Sequence, residues 1–256
     1  MPNVKAKAAV FILTVLGIAG CGPPPETGSI LLRLHPKLNE PYVYSLDLRS
    51  WSGADRKTVI DAKGKLAITF HAHDANGWSA HLNVTGLTST VDDPQSKALT
   101  HGADAEIEVD DFGRTLKFEP DGNPIIALIR LAPTFEGLTF PRDPVHYRFS
   151  WPSKCNLLDS YPELRTVSGL ADTSMALNCF VERMNYKTVT VDSTLLKIRG
   201  LAPSGIGRVG VAEDDHLYLD SSDGMPLILT RRTRLSVSGA GSSRTETLCT
   251  LTRESP

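Results

Sequence analysis

The chain is poor in the features that usually announce chemistry. Its 256 residues include only four cysteines, 7% aromatic residues and 22% charged residues, with a formal net charge of −2. A near-neutral balance without a basic stripe excludes the electrostatic footprint that nucleic-acid binding requires. The sequence has no G-x-S-x-G elbow, no H-E-x-x-H and no phosphate-binding P-loop, so the familiar local arrangements for acyl transfer, zinc hydrolysis and nucleotide binding are missing. No block of like charges suggests a solvated tail or a polybasic anchor. The longest mainly apolar run, Ala8–Gly20, has 13 residues. At ~1.5 Å per residue a helix of that length reaches about 20 Å, short of the ~30 Å hydrocarbon core of a bilayer. No cofactor is implied. What remains is 41% apolar residues, enough to bury the core of one large or two small domains.

The short apolar run reads as an address. Lys5 and Lys7 precede it and no acid does, which is the charge order of a secretory signal peptide. It ends in Ile18-Ala19-Gly20-Cys21. That tetrapeptide resembles the lipobox of bacterial lipoproteins: an aliphatic residue, a small residue, Gly or Ala, then Cys. The resemblance implies that residues 1–20 are removed as a signal peptide and that the Cys21 thiol carries a diacylglycerol. Several acyl chains at ~0.8 kcal/mol per buried CH₂ make such an anchor effectively permanent, whereas one chain holds only marginally. The partner implied is a membrane and the location the cell envelope. Gly22 rather than Asp after the cysteine leans towards the periplasmic face of an outer membrane, where the organism has one. A secretory signal with a chance cysteine is the plainer alternative. Against it, the basic start, the apolar run and all four lipobox positions agree. Residues 21–28 then form a linker whose three prolines hold it near polyproline II, about 3.1 Å per residue. Residues 29–256 form the globular body.

In that body the dominant period is two, the mark of half-buried strands. Tyr42, Tyr44, Leu46 and Leu48 fall on one face. Leu66, Ile68 and Phe70 repeat the alternation, as do Trp78, Ala80, Leu82 and Val84. Asp74-Ala75-Asn76-Gly77 supplies a hairpin turn between the last two. Ala105, Ile107 and Val109 form a further strand, with a return over Leu116 and Phe118. Alternation resumes over Val145–Trp151, Ala176–Met184, Thr188–Ile198, His216–Leu219, Leu227–Val237 and Thr245–Thr252. Only Asn123–Leu131 and Asn156–Leu164 read as short helices. The expected fold is mainly β: an antiparallel curved sheet, half-barrel or sandwich of about ten strands with one or two short helices. A domain seam, if there is one, lies in 133–169. The stretch His216-Leu217-Tyr218-Leu219-Asp220, followed by Asp223-Gly224-Met225-Pro226-Leu227, resembles the curved-sheet carriers of bacterial lipoproteins, the Lol family. That resemblance implies an antiparallel sheet wrapped round a helical lid, with acyl chains held in the concavity.

Candidate sites are few. With Cys21 lipidated, three cysteines remain in an oxidising setting. Cys155–Cys179 would close about 25 residues, worth about 3 kcal/mol in the chain-entropy model. Cys179–Cys249 is the rival pairing, and three buried thiols the third option. His71 and His73 share a strand face, with His81 across a hairpin, a conceivable metal trio. A solvated outer face explains them better, because no Cys or Glu partner sits at a fixed ligand spacing. Gly205-Ile206-Gly207-Arg208-Val209-Gly210 matches G-x-G-x-x-G, but no helix follows, so it reads as a loop between strands. Asp92-Asp93, Asp110-Asp111 and Asp214-Asp215 read as turn residues. Tyr42, Tyr44, Phe70, Trp78, Phe149 and Trp151 either line an apolar ligand site or form the sheet's core, and the core is the simpler role.

Together these point to a lipid-anchored, non-enzymatic envelope protein that holds an apolar ligand in a sheet concavity. Two alternatives stand beside it. One is an assembly lipoprotein that binds another envelope protein through its sheet. The other is a hydrolase with a dispersed site.

Overall fold

The computed structural model describes residues 28–91, 102–120, 139–156, 174–184, 188–200, 208–238 and 243–254. Eleven strands form one antiparallel, open, curved sheet. They are β1 (Pro41–Ser52), β2 (Lys57–His73), β3 (Trp78–Ser89), β4 (Ala103–Val109), β5 (Thr115–Pro120), β6 (Ser150–Asn156), β7 (Ser174–Met184), β8 (Thr188–Gly200), β9 (Arg208–Asp220), β10 (Pro226–Ser238) and β11 (Ser243–Arg253). Their spatial order is β5-β4-β3-β2-β1-β11-β10-β9-β8-β7-β6. The sheet is therefore two up-and-down meanders, β1–β5 and β6–β11, joined where the first strand pairs with the last. In that seam Leu46 lies opposite Leu251 and Leu48 opposite Cys249.

Alternation decides which face turns inward. On β1 the side chains of Tyr42, Tyr44, Leu46, Leu48 and Ser50 are buried, with more exposed neighbours between them. Opposite them Leu66, Ile68 and Phe70 are buried on β2, and Trp78, Ala80, Leu82 and Val84 on β3. A strand can bury only one side of its pleat this way, because successive Cβ atoms point to opposite faces. The outer face carries ion pairs instead. Asp47 contacts Arg49 at 3.1 Å and Lys63 at 3.7 Å, and Glu254 contacts Lys65 at 2.9 Å. Such exposed pairs add little stability, but they keep that face solvated.

One end of the sheet is strapped. The β2–β3, β4–β5 and β9–β10 turns lie there, and two irregular segments cross them. Leu34 donates its N–H to the Asp111 carbonyl at 2.8 Å, and His35 donates to the Asp223 carbonyl at 2.8 Å. Residues 33–35 thus tie the first meander to the second. In the other segment Thr139 donates its N–H to Ser153 Oγ on edge strand β6 at 2.7 Å. The next residue, Phe140, donates to the Phe112 carbonyl beside edge strand β5 at 2.7 Å. Two consecutive residues therefore bridge the opposite margins of an eleven-stranded sheet. That is possible only if the sheet curls strongly. The two segments also exchange bonds, with Ile30 and Val145 each donating to the other's carbonyl at 2.8 Å.

The structure corrects three details of the expected strands. Val145–Phe149 is not strand: Val145 makes an isolated bridge to Ile30, Arg148 turns the chain at φ 65°, and β6 starts only at Ser150. β9 begins at Arg208, so the last three residues of the G-x-G-x-x-G string lie in a strand, while 205–207 fall outside the described residues. β2 runs from Lys57, well before the alternation at Leu66 becomes visible, because its inward positions Ala62 and Gly64 carry little or no side chain to mark the buried face. Both expected helices lie outside the described residues, except Asn156, which ends β6. Strands from both sides of 133–169 belong to the same sheet.

Gly224 makes the strap possible. It sits at φ +70°, and a Cβ there would meet the Arg33 carbonyl oxygen at 2.1 Å. Gly86 has a similar φ of +63° but open space around it. Substituting alanine at Gly86 is expected to cost about 1–2 kcal/mol, the ordinary left-handed penalty. Gly224→Ala carries that penalty plus the clash, so its urea midpoint should fall clearly further. Equal losses in the two variants would show that the strap contact contributes nothing.

Candidate functional site

The inner face is almost wholly apolar in the first meander, while in the second Val181, Val189, Leu217, Leu219 and Leu229 are mixed with buried polar groups. Its apolar part runs from Ala105 and Ile107 on β4, through β3 and β2, to Tyr44, Leu46 and Leu48 on β1 and Leu251 on β11, all buried. Near the strapped end, Tyr42, Phe70 and Trp78 pack edge to face, with ring centroids 6.2 and 6.1 Å apart. That geometry suits the quadrupoles of aromatic rings. Tyr42 accepts a hydrogen bond from the Lys37 N–H at 2.9 Å. The Arg253 guanidinium lies over its ring at 4.5 Å and bonds Asp223 at 3.3 Å. Burial raises the Asp223 carboxyl above its usual range, against the lowering effects of the Met225 N–H and Arg253.

Tyr44 differs from its neighbours. It is fully buried and its hydroxyl has no hydrogen-bond partner. Burial pushes its phenol well above the ordinary range. An unpaired buried hydroxyl costs about 1–3 kcal/mol, so this is the one unsatisfied polar point in the apolar half among the described residues. Of the six aromatics singled out in the sequence, the structure gathers Tyr42, Tyr44, Phe70 and Trp78. Phe149 and Trp151 pack together 6.0 Å apart at and just before β6, on the other margin of the sheet.

The polar half centres on Arg231 and Asp215, on β10 and β9. The guanidinium donates twice to the carboxylate, Nε to Oδ1 at 2.8 Å and Nη2 to Oδ2 at 3.0 Å. Their side chains are 3% and 1% exposed. In the register Arg231 stands between Asp215 and Cys249. Burial raises the Cys249 thiol to about 12, so it stays a neutral thiol. Glu246 belongs to the outer face, covered by arginines: Arg232 hydrogen-bonds it and Arg56 lies 3.6 Å away. Burial works to raise its carboxyl, but the Arg232 bond and the charges of Arg232, Arg56 and Arg234 outweigh that and hold it below the usual range.

Several sequence candidates part company. Cys155 is in register with Met175, and Cys179 with Trp151. Four residues at ~3.3 Å per residue separate the two cysteines along the ladder, beyond the 7 Å reach of a disulfide, so that pairing is corrected. Cys179 and Cys249 lie on β7 and β11, four strands apart. The three histidines do not converge. His71 is exposed beside the Phe70/Ala72 bulge. His73 stacks on Trp78 at 4.0 Å with Nε2 3.2 Å from Asp111. His81 lies between Glu106 and Asp104, at 2.9 and 3.0 Å. Among the described residues no group of three or more His, Cys, Asp or Glu is placed to hold a metal. Asp110-Asp111 does form a turn, with Asp110 Oδ1 accepting the N–H groups of Phe112 and Arg114. Asp214-Asp215 does not. It lies within β9, Asp214 pairing outward with Arg234 at 3.1 Å and Asp215 inward with Arg231. Asp92-Asp93 lies outside the described residues.

A cleft of about 410 Å³ opens at the strapped end, between the β2–β3 turn, the β4–β5 turn and residues 139–142. Its lining includes Asn76, Asp110, Phe112, Thr139, Phe140 and Arg142. Sequence reasoning missed it because its three walls come from distant segments.

No family model matches the chain, and no curated protein matches it. A solved structure described as lipid–protein interactions in lipovitellin is similar to it at 13% sequence identity and a TM-score of 0.49, over 86% of this chain and 25% of that one. The chain thus spans about a quarter of that structure.

Two measurements probe the polar half. Arg231→Met leaves the Asp215 carboxylate buried without its bidentate partner, so the variant should lose about 3–5 kcal/mol in denaturant titration. A loss under 1 kcal/mol would mean that the pair is not buried in solution. Glu246 has a depressed folded pKa. Its stabilisation is present above the ordinary glutamate value of 4.5 and is lost as pH falls through the lower folded value. Thermal melts between about pH 5 and pH 3 should show a shallower acid slope for Glu246→Gln than for the parent chain.

Proposed function

We propose that this protein is a lipid-anchored component of the bacterial cell envelope, tethered through Cys21, whose curved sheet holds an apolar ligand against its inner face. The observation that supports it most is the unbroken run of buried apolar side chains from Ala105 on β4 across β1 to Leu251 on β11, on one curved sheet. A long hydrocarbon chain is matched by a broad, aliphatic surface with few polar points, and this half of the face has that chemistry. The orphan Tyr44 hydroxyl adds a single hydrogen-bonding point where a carboxyl or ester could be met. The lipobox supports the tether, because it couples a cleavable signal to a thiol at the new N-terminus.

An assembly lipoprotein that binds another envelope protein is the second reading. It is favoured by Leu116, 41% exposed on edge strand β5. Edge strands are natural docking sites for another chain.

Metabolic labelling with palmitate and membrane sedimentation test the tether, and Cys21→Ser should abolish the first and sharply reduce the second. Mass spectrometry of lipids extracted from the purified full chain tests the ligand. A stoichiometric acyl species that is reduced in Leu48→Arg is expected. Unchanged labelling in Cys21→Ser would remove the tether, and lipid-free protein would remove the carrier role.

A further inference from the structure

Two guanidinium groups share one aromatic ring at the strapped end, with Asp110 and Asp111 nearby. Arg33 lies 3.7 Å above the centroid of Phe112, and Arg142 lies 5.7 Å from the same ring. Arg33 is held in place by carbonyl oxygens, donating to Leu32 at 2.7 Å, Pro141 at 3.0 Å and Arg142 at 3.1 Å. Neither arginine forms an ion pair among the described residues. Burial lowers the Arg33 pKa, Asp111 opposes that, and the neighbouring Arg142 charge adds to the lowering. Like charges brought this close are stabilised by an anion placed between them.

The acids of the cleft are already engaged. Asp110 takes two backbone N–H groups through Oδ1 and faces Arg114 through Oδ2 at 3.4 Å. Asp111 Oδ1 accepts the Trp78 indole N–H at 2.9 Å and faces His73 Nε2 at 3.2 Å. Arg142 lines the cleft with no such partner, and Asn76 and Thr139 line it on neighbouring walls. The cleft therefore combines the guanidiniums of Arg142 and Arg114, the carboxylates of Asp110 and Asp111, the uncharged Asn76 and Thr139, and the Phe112 and Phe140 rings. A planar guanidinium with fork geometry suits a phosphate oxygen pair better than a lone point charge would.

We propose that this cleft is a phosphate-recognition site, with Arg142 as the contacting residue and Arg33 supporting it through Phe112. The phosphate could be a lipid headgroup or a soluble phosphate, and the chemistry recognised is the same. The site lies outside the apolar inner face, so it stands or falls independently of acyl-chain binding.

The test uses the full chain in neutral detergent micelles, titrated calorimetrically with inorganic phosphate and, separately, with phosphatidylglycerol mixed into the micelles. Saturable binding is expected, weakened at least roughly tenfold by Arg142→Gln, the size of change expected when a charge-assisted hydrogen bond is lost. Asn76→Ala should weaken it less. Arg148→Gln serves as the control, since Arg148 is exposed over Tyr147 and away from the cleft lining. Binding of both probes supports recognition of phosphate itself. Binding of the lipid alone supports a headgroup site, and binding of inorganic phosphate alone supports a soluble ligand. No saturable binding of either probe overturns the proposal. So does an affinity unchanged by Arg142→Gln, or one lowered equally by Arg148→Gln.

Discussion

The antiparallel pairing of β1 with β11 is the contact on which the remaining architecture depends. Each meander pairs strands that follow one another in sequence, so each pairing within it closes a far shorter stretch of chain than the seam does. The β1–β11 pairing joins residues about two hundred positions apart. Such closure carries the largest entropic cost in the fold. It is offset by burial along the seam, where Tyr44, Leu46, Leu48, Cys249 and Leu251 are all nearly inaccessible. Without it there would be two separate half-sheets, each with a long apolar face and an extra open edge. With it, the apolar face becomes continuous.

The strap depends on that seam and in turn supports it. Curling an open sheet brings its margins together at one end, but curvature alone leaves turn backbones unsatisfied. The bonds from Leu34, His35 and Phe140 to the carbonyls of Asp111, Asp223 and Phe112 satisfy them. They also hold the β4–β5 and β9–β10 turns at a fixed separation. Backbone hydrogen bonds are modest in net stability, yet a buried group left without one is costly. The strap therefore acts more as a geometric constraint than as a store of energy. It also places Arg33 over Phe112, so the cleft at this end is a by-product of how the sheet is closed.

Much of the fold was legible because period-two alternation is strong wherever one face is buried. The runs Tyr42–Leu48, Leu66–Phe70, Trp78–Val84 and Ala105–Val109 were each readable as strands, and each is one. Small residues and bulges set the limit. Ala62 and Gly64 at inward positions hid the first half of β2, and the shift between Pro226 and Ile228 breaks the register count from the Asp223-Gly224 turn. A strict count from that turn would have misaligned the Arg231–Asp215 pair, the most informative polar contact on the inner face. Val145–Trp151 shows the opposite failure. Its alternating apolar residues are real, but a left-handed Arg148 and a bridge to Ile30 use them in a corner. The disulfide expectation failed because sequence separation says nothing about register: β6 and β7 are neighbours, yet their cysteines are offset along the ladder.

The division of the inner face is the remaining consequence. A purely structural core would gain by replacing a buried ion pair with well-packed apolar residues, since desolvation often exceeds the Coulombic return. Arg231 and Asp215 are nevertheless placed well inside, Arg231 one strand from Cys249 and two from Leu48. At the other extreme, Tyr44 keeps a hydroxyl in the apolar half with nothing to bond. Both features cost stability, and both lie on the inner side of the sheet. If the proposed carrier role holds, an amphiphile would account for them together. Its hydrocarbon would match the aliphatic surface between β4 and β1, and its polar atoms would find donors at the borders of that surface. A pure hydrocarbon would leave Tyr44 unsatisfied, and a fully polar ligand would leave Leu46, Leu66 and Leu82 without a counterpart. Under the proposed carrier role, the inner face would favour a ligand with both parts.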